Sequence, residues 1–210
     1  VLDGEDWLEH AFGTALAHPG GILRELKQVH SALVVTCDEW REGLEADALI
    51  ATEAGIGIAV KSADCLPILL ADPEKRAVAA IHSGWRGCVA GVAIRTVEKM
   101  AALFGSRPER LIAAFGPSIR ACCFEVGPEV GQQFSPWLPE RNDLNRKTYV
   151  DLPKVCQRQL ISAGLQAGRI ATLAPCTVCG GALADPRQFH SWRRDHQTGA
   201  RMHSAIRIKQ

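Results

Sequence analysis

Three segments of this chain each set a soft or borderline metal ligand among small and polar residues: Gln28-Val29-His30, Ser62-Ala63-Asp64-Cys65 and His82-Ser83-Gly84-Trp85-Arg86-Gly87. Two imidazoles and one thiolate suit zinc, and three protein ligands leave the fourth position open to water or substrate. Cys65 opens the apolar run Leu66 to Ala71 and His82 closes the run Ala77 to Ile81, so these two ligands lie one strand-turn-strand apart. Such a site is catalytic in kind, because structural zinc sites normally close the shell with four protein ligands. His10, His18, His190, His196 and His203 have no comparable context and read as surface or structural residues.

The elements that must position these ligands alternate between strand and helix. Ala48 to Thr52, Gly57 to Lys61, Leu66 to Leu70 and Ala77 to Ile81 are short apolar runs bounded by Gly, Pro and Asp, as buried strands are. From Gly87 to Phe104 the period becomes helical, with Val89, Val92, Ala93, Val97, Met100 and Phe104 on one face. Leu111 to Phe115 reads as a further strand. Pro153 to Ala163 reads as a helix, with proline in its first turn and Gly164 just past its end. Ile170 to Ala174 and Met202 to Ile208 read as late strands. The segment from Gln133 to Lys147, rich in Pro, Asn and charge, reads as a mobile loop.

Composition narrows the function classes. The 210 residues fit one domain over 1–210, of α/β class with mixed β-sheets layered with α-helices. Twenty-four basic against 23 acidic residues give a net charge of +1, so no global field calls for nucleic acid or a membrane surface. No apolar run approaches the roughly 18 residues of a spanning helix. Eight cysteines, two of them adjacent at Cys122 and Cys123, do not space as a secreted disulfide framework, and a reducing cytoplasm is expected. Cys176-Thr177-Val178-Cys179 has the form of half a zinc ribbon or of a redox dithiol. A ribbon needs a second pair at similar spacing. None occurs, which leaves a loop with two incidental thiols as the expectation. Cys122 and Cys123 are expected to behave as small hydrophobes near the pocket.

Seven ordered motifs carry a resemblance. Lys27-Gln-Val-His30, Ala46-Asp-Ala-Leu-Ile50, Ala63-Asp-Cys-Leu-Pro67, His82-Ser-Gly-Trp-Arg-Gly87, Gly116-Pro-Ser-Ile119, Cys122-Cys-Phe-Glu-Val126 and Phe189-His-Ser-Trp-Arg-Arg-Asp195 follow one another as in the laccase-domain family. That family was first described as multicopper polyphenol oxidase, also as peptidoglycan editing factor, and later as purine nucleoside phosphorylase. The resemblance runs from about Phe12 to the C-terminus. It implies a mixed α/β domain and a zinc site of His30, Cys65 and His82. It also implies phosphorolysis of adenosine, inosine and 5′-methylthioadenosine, with deamination of adenosine. Three departures stand out: a short segment from Ala15 to Lys27, a lysine at position 61, and an apparent insertion from Gly180 to Ala184.

The chemistry assigns further roles. Deamination needs a strong nucleophile at neutral pH, which zinc supplies by lowering the pKa of water to about 7. Asp64, beside Cys65, is expected either to shuttle protons there or to orient His30 or His82. Phosphorolysis uses inorganic phosphate as co-substrate, and Arg86 suits it because a guanidinium holds oxyanions bidentately. A helix starting at Gly87 would add free backbone N–H groups. Arg193, in a second cationic pair with Arg194, is a further substrate-binding candidate. Two rival chemistries remain. A copper polyphenol oxidoreductase needs a histidine-rich cluster, and seven histidines with no His-x-His pair make it the weaker reading. A cysteine hydrolase acting on cell-wall peptides would use Cys65 as nucleophile and His82 as base. The oligomeric state is left open.

Overall fold

The apolar runs that flank the ligand segments become two sheets packed face to face. In the computed structural model, which describes residues 1–17, 20–196 and 199–210, one of the histidines named above, His18, lies outside the described part. The strands are β1 (Leu8–Phe12), β2 (Leu23–Glu25), β3 (Val34–Thr36), β4 (Ala48–Ala51), β5 (Gly57–Ser62) and β6 (Leu66–Asp72). They continue as β7 (Ala77–Ser83), β8 (Ile112–Phe115), β9 (Glu125–Val126), β10 (Thr148–Tyr149), β11 (Ile170–Ala171) and β12 (Met202–Ile208). The helices are α1 (Trp85–Val89), α2 (Val92–Phe104), α3 (Pro128–Gly131), α4 (Leu152–Ser162) and α5 (Trp192–Asp195).

One sheet has the order β1-β12-β5-β2 and the other β11-β8-β6-β7-β4-β3, with β9 and β10 as a separate pair. Both large sheets are mixed: β2–β5, β3–β4 and β8–β11 are parallel, while β5–β12 and β6–β7 are antiparallel. The expected α/β class with mixed sheets is thus the architecture found.

β6 and β7 are buried at every residue because they are covered on both sides. Leu66, Ile68, Leu70, Ala79 and Ile81 pack on Val92, Val97 and Met100 of α2 and Val155 and Leu160 of α4. The alternate residues Leu69, Ala71, Val78 and Ala80 meet Ile58, Val60, Ile206 and Ile208 of the smaller sheet. This gives three layers: helices, the six-stranded sheet and the four-stranded sheet. Truncating a fully buried residue such as Ile81 to Ala costs about 2–5 kcal/mol.

Three expectations change. The helix expected from Gly87 to Phe104 is two helices, because Gly91 takes a left-handed φ of 79° and its N–H caps the Cys88 carbonyl. The strand expected over Ile170 to Ala174 stops at Ala171, and the carbonyls of Thr172 and Ala174 accept from the Arg120 guanidinium instead of a ladder. The segment 133–147 is anchored, since Phe134, Leu138 and Leu144 are buried in the helix-side core. Arg141 fastens it further through a bidentate contact with Asp143 and a bond to Thr148. Its polar composition described only its outer face. The helix expected at Pro153 to Ala163 forms as α4, with Asp151 as N-cap accepting from the Lys154 N–H at 3.1 Å.

Candidate metal centre

The three ligand segments meet where the two sheets part at one end. Ala63-Asp64-Cys65 is the whole connection between β5 in the smaller sheet and β6 in the larger. So short a crossing forces a sharp turn, and Asp64 supplies it with φ 87°, a conformation rare outside glycine. On the neighbouring strand His82 pairs with Pro67, which brings it beside Cys65. His30 follows β2 in another left-handed turn, φ 59°. The ligand atoms of His30, Cys65 and His82 all lie within 4.8 Å of one another. Cys65 Sγ is 3.8 Å from His30 Nε2. Zn–S near 2.3 Å and Zn–N near 2.0 Å in a tetrahedron place such a pair about 3.5 Å apart, so the donors fit the ion with little movement.

The surroundings hold this arrangement. Asp47, fully buried at the head of β4, accepts from His82 Nδ1 at 2.8 Å, leaving Nε2 as the ligand nitrogen. The same carboxylate accepts from the backbone N–H groups of Val29, His30 and Ser31 and from the Ser31 hydroxyl. One side chain therefore orients one ligand ring and clamps the loop carrying another. Gly84 and Gly87 permit close approach: a Cβ on Gly84 would lie 2.8 Å from His30 Cδ2 and 3.0 Å from Cys65 Sγ, and one on Gly87 2.8 Å from the Ser31 carbonyl.

Electrostatics follow from the contacts. Burial pushes the Asp47 carboxyl up, but the hydrogen bonds from His82 and Ser31 outweigh it and hold it below the usual range. Burial also pushes the Cys65 thiol up, yet His30 and His82 bring it down to about 6. For His82 burial lowers the value, while Asp47 and the Cys65 sulfur raise it to about 9. Without metal the cluster is thus a thiolate facing an imidazolium near neutral pH.

The cluster lies on a cavity of about 870 Å³. Its wall includes Arg86, Phe124, Glu129, Trp192 and Arg193. Arg86 is exposed in the first turn of α1, which starts at Trp85 and not at Gly87 as expected, and its guanidinium stacks 4.2 Å from the Trp85 ring. No carboxylate pairs with it among the described residues. Asp64 lines the same cavity, where Oδ1 accepts from the Thr177 hydroxyl and Oδ2 from the Arg193 backbone N–H, each at 2.6 Å. The Arg193 guanidinium donates to the Glu125 carbonyl at 3.1 Å and lies over the Phe124 ring. The carboxylate orienting His82 is Asp47, and sequence reasoning gave it no role. A lone acid between Ala46 and Ala48 at the head of an apolar strand was the signal. Gln28 was passed over too: its amide exchanges two 2.7 Å bonds with the Lys61 backbone, tying the ligand loop to β5. Lys61 itself pairs with Glu25.

Residues 9–209 match the family described as multi-copper polyphenol oxidoreductase laccase. The chain belongs to this family. Among its laccase-domain relatives, a purine nucleoside phosphorylase of Deinococcus radiodurans is 36% identical over 204 residues, covering 91% of this chain and 72% of that one. Adenosine deaminase RL5, from an unknown prokaryotic organism, is 36% identical over 169 residues, covering 73% of this chain and 64% of its own length. The crystal structure of the Bacillus licheniformis hypothetical protein YfiH is similar with a TM-score of 0.79 at 26% identity, over 89% of this chain and 74% of that one. Among the described residues no helix is long and apolar enough to cross a membrane.

Proposed function

We propose that this chain is a zinc-dependent purine nucleoside phosphorylase for adenosine, inosine and 5′-methylthioadenosine, and that it deaminates adenosine in the same cavity. The observation that carries this reading is an open three-ligand cluster on a nucleoside-sized cavity whose wall presents a guanidinium, Arg86, that no carboxylate among the described residues pairs with. The names of the relatives support the substrate class. His30, Cys65 and His82 would hold the zinc, which would supply a Lewis acid and lower the pKa of water to about 7. Arg86 grips phosphate with its planar fork, and Trp85 beneath it limits the guanidinium's motion. Trp192 and Phe124, the latter with Arg193 over its ring, line the cavity and supply aromatic surface for the purine. In phosphorolysis a phosphate oxygen bonds to C1′ as the N-glycosidic bond breaks; the base leaves with the electron pair and takes up a proton, giving free base and ribose 1-phosphate, or 5-methylthioribose 1-phosphate from methylthioadenosine.

Asp64 has less freedom than a proton carrier needs, because both its oxygens already accept strong bonds. We assign it to positioning: it ties the backbone of Arg193 and the Thr177 loop to the cavity floor. Asp64→Asn should then keep its zinc and lose about 1–3 kcal/mol of stability. A fall of roughly 10²–10⁴ in deamination with stability intact would restore the shuttle role.

The direct test incubates the zinc-loaded protein with adenosine, with and without phosphate. Adenine and ribose 1-phosphate appearing only with phosphate is the expected result, with inosine as the deamination product. No turnover of adenosine, inosine or methylthioadenosine would overturn the reading. We assign the chain to a reducing cytoplasm, because its eight cysteines, two of them adjacent, do not space as a secreted disulfide framework.

A second reading has one observation in its favour: Cys65, His82 and Asp47 have the order of a thiol nucleophile, its base and an orienting acid. Against it, His30 faces the same sulfur, as a chelate requires and a triad does not. Stoichiometric alkylation of Cys65 in the zinc-loaded protein would favour the hydrolase. In neither cluster of metal-ligand side chains among the described residues are there more than two histidines, which is short of a multicopper centre.

A further inference from the structure

A second convergence of ligand atoms lies away from the cavity floor. The four sulfurs of Cys122, Cys123, Cys176 and Cys179 all lie within 4.8 Å of one another, with Cys122 and Cys179 at 3.5 Å. Two segments more than fifty residues apart make this contact through their backbones. Ser118 N–H donates to the Pro175 carbonyl and Thr177 N–H to the Ser118 carbonyl, a parallel bridge that sets Cys176 beside Ser118. The chain then turns at Arg120, whose carbonyl accepts from the N–H groups of Cys123 and Phe124. On the other segment Gly180 N–H returns to the Cys176 carbonyl at 2.8 Å, closing the Cys-x-x-Cys into a turn. Gly180 and Gly181 both take left-handed φ there, 72° and 61°, and a Cβ on Gly180 would collide with the Ala184 carbonyl. The segment from Gly180 to Ala184 thus completes this turn.

We propose that Cys122, Cys123, Cys176 and Cys179 form a closed tetrathiolate site for zinc or another soft divalent cation of similar size, and that the site is structural. Four sulfurs about 2.3 Å from one ion stand about 3.8 Å apart, the spacing of co-ligands and not of a disulfide. Binding replaces the four thiol protons, which leave to solvent, and gives the site a net charge of −2. Guanidinium groups already fasten the same segments. Arg194 donates to the Thr177 and Val178 carbonyls, Arg193 to that of Cys123, and Arg120 to those of Thr172 and Ala174. Arg194 is itself paired with Asp195, so the net positive charge on these segments comes from Arg120 and Arg193. The site also has a mechanical consequence, because Thr177 inside the turn bonds Asp64 and Phe124 follows Cys123 into the cavity wall. A second half-ribbon is supplied by adjacent cysteines, a spacing that pattern reading does not search for.

The test uses the full chain, zinc or cobalt alone as probe, and no activity readout, so it stands or falls independently of the nucleoside reading. Purified under reducing conditions, the protein should carry two equivalents of zinc. Cys179→Ser and His30→Ala should each lose one of them. In the cobalt-loaded protein, His30→Ala should keep the intense thiolate-to-metal absorption of a tetrathiolate, and Cys179→Ser should lose most of it. If Cys179→Ser does not fold, Cys122→His, which retains a ligand, should still bind two equivalents with a shifted cobalt spectrum. One equivalent in the wild type, with all four thiols reacting freely in the zinc-loaded protein, would overturn the proposal. So would a Cys122–Cys179 disulfide that persists under those conditions.

Discussion

The two clusters of metal-ligand side chains in this chain differ in what completes them. His30, Cys65 and His82 are three donors on an 870 Å³ cavity, held from behind by a buried carboxylate. Cys122, Cys123, Cys176 and Cys179 are four donors at the join of two loops, steadied by guanidiniums on backbone carbonyls. Three ligands leave room for a reacting molecule and four do not, so ligand number separates chemistry from scaffolding. Support differs for the same reason. An incomplete shell does not fix its own geometry, so Asp47 must orient the His82 ring and clamp the His30 loop.

The comparison breaks most sharply if the open cluster proves dispensable. His30→Ala should abolish turnover and remove one zinc equivalent while the circular dichroism of the fold persists. Full activity in that variant would end the catalytic assignment of the cluster.

Stripped of metal, Cys65 and Cys122 should react differently with iodoacetamide. The Cys65 thiol sits at about 6, whereas burial and the neighbouring Cys179 sulfur push Cys122 up to about 11. At pH 7 Cys65 is mostly thiolate and Cys122 almost wholly thiol. The lower nucleophilicity of the more acidic thiolate offsets about half the logarithmic gain, leaving Cys65 alkylated on the order of a hundredfold faster. Its rate should fall as pH drops through about 6. Peptide mass spectrometry over pH 5–9 reads both positions, and equal rates would show that His30 and His82 do not stabilise the thiolate.

Arg86→Ala tests whether the open side of the first cluster faces phosphate. Removing a charge-assisted bidentate contact should weaken phosphate use by about 1.5–3 kcal/mol, roughly ten- to a hundredfold or slightly more. Deamination, which consumes no phosphate, should be spared. Equal loss of both activities would make Arg86 a support for Trp85 and α1.

The smallest effect sharpens the difference in support. Asp47→Asn keeps the shape and removes the charge, so zinc affinity at the open site should fall about 10–100-fold, with activity restored by added metal. The tetrathiolate equivalent should stay bound. Loss of both equivalents together would mean that the two sites are not independent.

The sequence was informative wherever ligand and strand were neighbours in the chain. The apolar runs after Cys65 and before His82 predicted two strands, and their antiparallel register does bring those side chains together. Met202 to Ile208 was readable because its seven residues form one uninterrupted strand, paired on both sides by β1 and β5. The segment 133–147 reads as a loop because its three anchoring residues, Phe134, Leu138 and Leu144, are outnumbered by its polar and charged ones.

What the sequence determined by itself was the class of fold and the kinds of donor atom: imidazole and thiolate, two of them flanking strands too apolar to be exposed. Only the tertiary structure decided which donors meet. Asp47 becomes the partner of His82 because β4 lies antiparallel beside β7, and Cys122 and Cys123 reach Cys176 and Cys179 because Ser118 pairs across a gap of more than fifty residues. Such contacts are fixed by long-range backbone pairing between sheets and loops. That pairing leaves no local period or spacing to read.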